Sequence, residues 1–281
     1  MDKKLPRRGY RGRSATRWII GMNVDQLAAE QLKDFDRQRP GNSFSKPSVH
    51  LTVEQAYELQ FRVASLREQR GEQVAGYKVG CISRTMQNQL GLDRPVFGHV
   101  WRSEMHASGG TLQATRFDGL AIEGEFAVRL ADDVPSAQWL ERNSEVLAAG
   151  FVVIELHNYV FRGAPDQRAA ELIANNAIHA GVVLPVEATP LENTEALSSA
   201  IVRVLRNGEL LGAAAGSELE GGPMASVVSL AEHLEKYGRC LRRGQIVLTG
   251  SPLPLWRVAV GDIIEVQCDQ LGTSARVHVG N

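Results

Sequence analysis

The chain has 281 residues, 43% hydrophobic and 22% charged, with a formal net charge of −1. This is the make-up of an ordinary soluble globular protein with ample core, and the length fits one large domain with an appendage or two domains. The charge gives no bulk electrostatic reason for a nucleic-acid or membrane partner, and no apolar stretch approaches a membrane span; three dispersed cysteines (Cys81, Cys240, Cys268) argue against a disulfide framework and for the cytoplasm.

Residues 1–20 are basic (Lys3, Lys4, Arg7, Arg8, Arg11, Arg13, Arg17) with little apolar patterning, and read as a disordered tail rather than a nucleic-acid arm. Residues 23–37 place Leu27, Ala28 and Leu32 at helical spacing and predict one amphipathic helix, followed by the polar connector Arg39-Pro40-Gly41-Asn42-Ser43. Thr52 with Gln55 fits a capping box. Behind it Val53, Ala56, Tyr57, Val63, Ala64 and Leu66 keep a helical period as far as Arg67.

After Gly76 the texture changes to short apolar runs broken by Gly, Pro and Asn. Strands are predicted over 75–79, 96–101, 111–114, 120–130, 151–156, 181–184, 200–205, 209–213, 245–249, 262–268 and 274–279, with a tight hairpin at Asn207-Gly208. Helices are predicted over 166–173 and 224–237, the second ending at Gly238. Many strands with few crossover helices favour an α+β, mostly antiparallel β-roll over a doubly wound sheet. The expected organisation is a basic extension and helix over 1–45, a helical segment over 46–75 and a catalytic β-roll over 76–281.

The run Ala121-Ile122-Glu123-Gly124-Glu125-Phe126-Ala127-Val128 reads as a strand carrying two carboxylates two residues apart, which therefore share a face. Adjacent carboxylates repel unless they share a proton or a cation. Glu155 stands in the apolar run Phe151-Val152-Val153-Ile154-Glu155-Leu156, where a core residue is expected. Three glutamates without an obvious basic partner nearby point to a hard divalent cation, Mg²⁺ or Mn²⁺; the competing reading is a solvated strand face. Lys78, inside Gly76-Tyr77-Lys78-Val79-Gly80, is either a strand-end residue reaching water or a group that fixes a carboxylate or transfers a proton. Thr249-Gly250-Ser251 ends a strand in small residues with free N–H groups and hydroxyls, which suits an anionic oxygen as well as a simple turn. His157 shares a strand face with Glu155, and His179 follows Asn175-Asn176; either is structural or an acid/base.

Taken in order, these segments resemble the fumarylacetoacetate hydrolase superfamily, particularly its 2-keto-4-pentenoate hydratase and 2-oxo-3-hexenedioate decarboxylase branch. The resemblance rests on Gly76–Gly80, Met86-Gln87-Asn88-Gln89-Leu90-Gly91, Ile122–Ala127, Ile154-Glu155-Leu156, Gly216-Ser217 through Leu230-Ala231, Leu248–Pro252 and Gly261-Asp262. It implies a mixed β-sandwich roll with an N-terminal helical segment, a divalent metal on Glu123, Glu125 and Glu155, Lys78 in the substrate pocket, a small-molecule 2-oxo acid substrate and a homo-oligomer. The sequence departs where hydratases of this branch carry Asp-Ser-Arg, reading His157-Asn158-Tyr159-Val160 instead. It departs again at Ala174-Asn175-Asn176-Ala177-Ile178-His179, where they carry Ala-Asp-Asn-Ala-Ser.

The expected activity is hydration of a short 2-hydroxy-2,4-dienoate, with Lys78 and the 249–251 turn holding the carboxylate and His157 or His179 moving protons. Acylpyruvate C–C hydrolysis and 2-oxo diacid decarboxylation use the same enolate chemistry and stand as alternatives, as does a catalytically silent 2-oxo acid binding or structural protein.

Overall fold

A computed structural model of the chain describes residues 23–191 and 193–281; the basic tail expected over 1–20 lies outside the described residues. Asn23 accepts the Gln26 N–H at 2.8 Å and starts α1 (Val24–Asp36). Thr52 and Gln55 close the expected capping box and start α2 (Val53–Gln69). The two helices pack on each other, and Leu27, Ala28, Ala56, Leu59 and Phe61 join the main hydrophobic core.

The chain then runs β1 (Val74–Gly80), α3 (Arg84–Leu90), β2 (Val96–Trp101), β3 (Met105–Ala107), β4 (Thr111–Gln113) and β5 (Leu120–Leu130). Next come α4 (Ala137–Arg142), β6 (Leu147–Asn158), α5 (Arg168–Ala174), β7 (His179–Leu184), β8 (Thr189–Pro190) and α6 (Glu195–Ser199). The remainder holds β9 (Ile201–Arg206), β10 (Glu209–Ala215), α7 (Gly222–Lys236), β11 (Ile246–Leu248), β12 (Trp256–Arg257), β13 (Ile263–Cys268) and β14 (Thr273–Gly280). The expected strands are present. The short helices α3, α4 and α6 and the short strands β3, β8 and β12 have no counterpart among the expected elements, although Ser83 caps α3 and Gly91 ends it at φ +67°. Among the described residues no helix is long and apolar enough to cross a membrane.

The strands form a nine-stranded sheet, ordered β2-β1-β11-β5-β6-β7-β3 with β12 and β8 as side branches, and a five-stranded sheet, β10-β9-β13-β14-β4. Pairing is antiparallel except for β1–β11, β3–β7 and β4–β14, as a mixed sandwich roll requires. Asn207 and Gly208, at φ +53° and +83°, turn β9 into β10 and match the hairpin expected there.

Alternation along β5 and β6 divides the larger sheet into two faces. Ile122, Phe126, Val152 and Ile154 share one core with Val202, Val204, Ile264 and Val266 of the smaller sheet. The opposite face is concave, because the sheet curls until β2 lies against β7. Its floor is a second apolar cluster of Val100, Ala127, Phe151, Val153, Val182, Ile246 and Leu248. Gly124 makes the sandwich close at β5: a Cβ there would overlap Val204 Cγ2 and stand 3.2 Å from Val266 Cγ2.

Gly124→Ala should therefore overpack the sandwich and cost about 1–3 kcal/mol, read as a lower Tm. Adding Val204→Ala should return part of that loss. An unchanged Tm for the single variant would show that the two sheets have slack between them.

Candidate active site

The concave face carries the chemistry. Register places Glu123 of β5 directly opposite Glu155 of β6, with Glu125 opposite Val153 and His157 opposite Ala121. Because each strand alternates, Glu123, Glu125, Glu155 and His157 all point into the roll. Lys78 joins them from β1, paired with Leu248 of β11, which in turn pairs with Ala127. Glu125, Glu155, Lys78, His157 and His179 are buried, and Glu123 is partly open to the cleft above.

Glu155 is the hub. Its Oε1 lies 3.2 Å from Lys78 Nζ and 2.7 Å from His179 Nδ1. Burial alone would raise its pKa, but Lys78, His157 and His179 outweigh burial and hold the carboxyl well below the usual carboxylate range. Burial likewise opposes the Lys78 charge, and Glu155, Glu125 and Glu123 override it, so the ammonium is held charged beyond the ordinary lysine range. Glu125 goes the other way. Burial and the neighbouring Glu155 raise its pKa strongly, and its Oε2 accepts the Gly250 N–H at 3.0 Å.

Glu123, Glu155 and His157 each offer a donor atom within 4.8 Å of the others. His157 Nε2 lies 3.0 Å from Glu123 Oε2 and 3.6 Å from Glu155 Oε2, yet neither contact is aligned as a hydrogen bond. Glu125 Oε1, Glu155 Oε2 and both His157 nitrogens are buried without hydrogen-bond partners. Convergent, unsatisfied carboxylate oxygens with one imidazole suit a divalent cation such as Mg²⁺ or Mn²⁺. The residues present fit such an ion.

His179 reaches Glu155 through an unusual piece of backbone. Asn176, Ala177 and Ile178 are successive non-glycine residues at φ +57°, +52° and +55°, a conformation that L-residues rarely adopt even singly. The Asn176 side chain pins the turn to β2, accepting the His99 N–H at 2.6 Å and donating to the His99 carbonyl at 2.8 Å. Gly98 allows the approach, since a Cβ there would stand 2.6 Å from the Asn176 carbonyl oxygen.

The fumarylacetoacetate hydrolase C-terminal family model matches residues 69–278 of this chain. The chain belongs to the fumarylacetoacetate hydrolase family. It is 30% identical over 227 residues to the 2-hydroxyhexa-2,4-dienoate hydratase of Comamonas testosteroni, covering 79% of this chain and 85% of that protein. It is 25% identical over 265 residues to the 4-oxalocrotonate decarboxylase of Pseudomonas putida, covering 90% and 94%. Among solved structures, 4-oxalocrotonate decarboxylase from Pseudomonas putida G7, complexed with magnesium and adipate, superposes with a TM-score of 0.78 at 23% identity, over 91% of this chain and 97% of that one. The α+β roll with N-terminal helices is the architecture of this family.

Within this family member the expected site residues take distinct places. Lys78, Glu123, His157 and Ser251 line the large cleft. Glu125 lies below, bonded to Gly250, while His157 rather than Glu125 completes the most convergent donor set. His179 sits behind Glu155 and borders a separate cavity of about 50 Å³ beside Gln31, Arg67 and His99. It contacts Glu155 and does not line the large cleft. Thr249 is fully buried with its hydroxyl donated to the Phe126 carbonyl at 3.0 Å, so of the 249–251 turn only Ser251 lines the cleft.

The sequence reading overlooked Cys81, Tyr159, Phe161, Arg168 and Arg257, which also line the cleft. A single basic, aromatic or thiol side chain carries no local signal in the sequence of what it will face.

Lys78 is the main cation compensating three carboxylates. Lys78→Met should destabilise the metal-free protein by about 3 kcal/mol, the lower end for breaking a buried ion pair, or roughly 5–10 °C in Tm. Saturating Mg²⁺ should recover part of that loss. A metal-free Tm equal to wild type would mean that the histidines neutralise Glu155 without it.

Proposed function

We propose that this protein is a metal-dependent hydro-lyase that converts a 2-hydroxy-2,4-dienoate to a 4-hydroxy-2-oxo acid. The observation that carries the reading is the convergence of Glu123, Glu155 and His157 beside Lys78, whose Nζ lies 3.2 Å from Glu155, at the floor of an open cleft. The 2-hydroxyhexa-2,4-dienoate hydratase of Comamonas testosteroni supports it as a relative.

A divalent cation held by Glu123 and Glu155, with Glu125 beneath them, would supply Lewis-acid stabilisation of the 2-oxo group and its enolate and leave the His157 imidazole beside it to move protons. Lys78, held in its ammonium form, works as a fixed hydrogen-bond donor and counter-charge for the substrate's C1 carboxylate, not as a base. His179 positions Glu155 through the 2.7 Å bond from Nδ1. His157 is the imidazole that faces the cleft, and it is assigned the proton delivered to C5 as the dienol ketonises. The resulting enone accepts water at C4 and a proton at C3.

Ser251 is the rim hydroxyl. Its Oγ donates to Gly124 or Leu253 carbonyls at 3.1 and 2.9 Å and accepts the Leu253 N–H at 3.1 Å, which braces the rim beside the carboxylates.

One observation ranks hydration above C–C hydrolysis. C–C hydrolysis needs a water activated beside the substrate carbonyl, work suited to a His–Glu acid/base pair; between Gly80 and Glu123 the sequence offers Glu104 and His106 for it, and neither lines the cleft. Glu104 is bound to Arg67 at 2.7 Å, and His106 lies on β3 at the sheet edge. Decarboxylation of a 2-oxo diacid is the second reading, favoured by the longer match to the Pseudomonas putida decarboxylase. The proposal further includes a homo-oligomer in the cytoplasm, acting in the breakdown of aromatic compounds; three free cysteines agree with a reducing compartment.

With Mg²⁺ or Mn²⁺ present, 2-hydroxypenta-2,4-dienoate should lose its ultraviolet absorbance and yield 4-hydroxy-2-oxopentanoate, while acylpyruvates are cleaved slowly or not at all. Exhaustive chelation should stop turnover, and undiminished turnover after it would refute the metal. Carbon dioxide release from a 2-oxo diacid faster than dienoate hydration would put the second reading first.

Glu123→Ala should lower kcat/KM more than about 100-fold and leave Tm no lower, because a partly open carboxylate is removed from a repelling cluster. Near wild-type kinetics in this variant would remove Glu123 from the ligand set.

A further inference from the structure

The cleft above the carboxylates has a volume of about 1520 Å³, beyond the roughly 300–1,000 Å³ of most small-molecule sites. A five-carbon acid would occupy little of it. Much of the wall is apolar, formed by Ile82, Met86, Leu90, Leu172, Leu253 and Leu255. Met86 and Tyr159 are 43% and 37% exposed, and both line this cleft. Large apolar side chains left open to solvent inside a functional cleft mark a surface that an apolar ligand covers.

Charge is arranged on the same wall. Two residues beyond His157 the chain leaves β6 and presents Tyr159 and then Phe161, packed edge to face with centroids 5.9 Å apart at 83°. Arg257 lies over the Tyr159 ring at 4.8 Å, and Arg168 over the Phe161 ring at 5.2 Å. All four line the cleft and form one ladder, Arg257–Tyr159–Phe161–Arg168.

Among the described residues neither guanidinium forms a salt bridge, although Glu171 lies near enough to Arg168 to interact with it electrostatically; the Arg257 side chain donates to the Tyr159 carbonyl at 3.2 Å. Arg84, on the same wall, is by contrast paired with Glu220 at 3.4 Å. Asp166 also borders the cleft without pairing to either ladder arginine. Stacking holds a guanidinium by its face and leaves its edge N–H groups free for an anion.

We propose that the ladder is the specificity determinant for a substrate with an extended tail, apolar along its length and ending in an anion. This rests on the reading of the Lys78–Glu123–Glu155 floor as a 2-oxo acid site. The 2-oxo acid end lies on that floor, the tail's methylenes cover Met86, Leu90 and the aromatic pair, and the terminal carboxylate meets the guanidinium at one end of the ladder, Arg168 or Arg257.

The test is calorimetric binding to the Mg²⁺-loaded protein of pyruvate, 2-oxooctanoate and 2-oxooctanedioate, a series that shares one head group. Each methylene that reaches the apolar wall should tighten binding by up to about fourfold. The distal carboxylate should add about fivefold more, as expected for an exposed charge pair, and salt should weaken that last gain. In Arg168→Gln/Arg257→Gln, both solvent-exposed positions, the diacid and the monoacid should bind alike. Tyr159→Ala should weaken both long acids relative to pyruvate. If pyruvate binds as tightly as 2-oxooctanoate, or the diacid keeps its advantage in the double variant, the inference is overturned. If none of the three binds, the 2-oxo acid site is refuted and the tail site with it; hydration of the pentadienoate without any gain from tail length would refute the tail site alone.

Discussion

Three carboxylates gathered on the concave face of one sheet are the constraint around which the molecule is arranged. Glu125 and Glu155 are fully buried, and a buried carboxylate without compensation is too costly to persist as a charge. The fold answers this with Lys78 from a strand two places along the sheet and with imidazoles from β6 and β7. Each compensating group comes from a different strand, so the cluster is sustained only while the register of β1, β11, β5, β6 and β7 holds. A one-residue slip would turn every one of these side chains to the other face.

The same constraint separates the roles of chemically similar groups. Glu155 and Glu125 are neighbours, yet one is held ionised by Lys78, His157 and His179 while burial and its charged neighbour push the other toward its protonated form. His157 and His179 both touch Glu155, but only His157 faces the cleft. Environment rather than residue type sets these assignments. Bringing His179 to Glu155 requires three successive left-handed residues, and Asn176 offsets that strain by two hydrogen bonds to the His99 backbone.

Family membership fixes less about the reaction than about the fold. Hydratases and a decarboxylase match this chain at comparable identity, as expected when one fold serves several reactions. Above the carboxylate floor lie the segments that follow β6 and β11. There this chain places aromatic rings, arginines and the Ser251–Leu255 rim.

Much of this was legible in the residues alone. Alternation along 120–130 and 151–156 was enough to put Glu123 with Glu125 on one face and to single out Glu155. Capping at Thr52 and the Asn207-Gly208 turn located their elements, because those signals are local: each is a few residues satisfying one another's backbone. Short α3 and α4 escaped, since a turn or two of helix carries too little periodicity to stand out. What the sequence could not decide was which side chains meet. Thr249 spends its hydroxyl on Phe126, His179 stands behind Glu155, and Arg168 and Arg257, far apart in the chain, border one cleft. Those outcomes depend on pairings between strands distant in sequence and on the curl of the sheet, and neither is encoded in any single window of the chain.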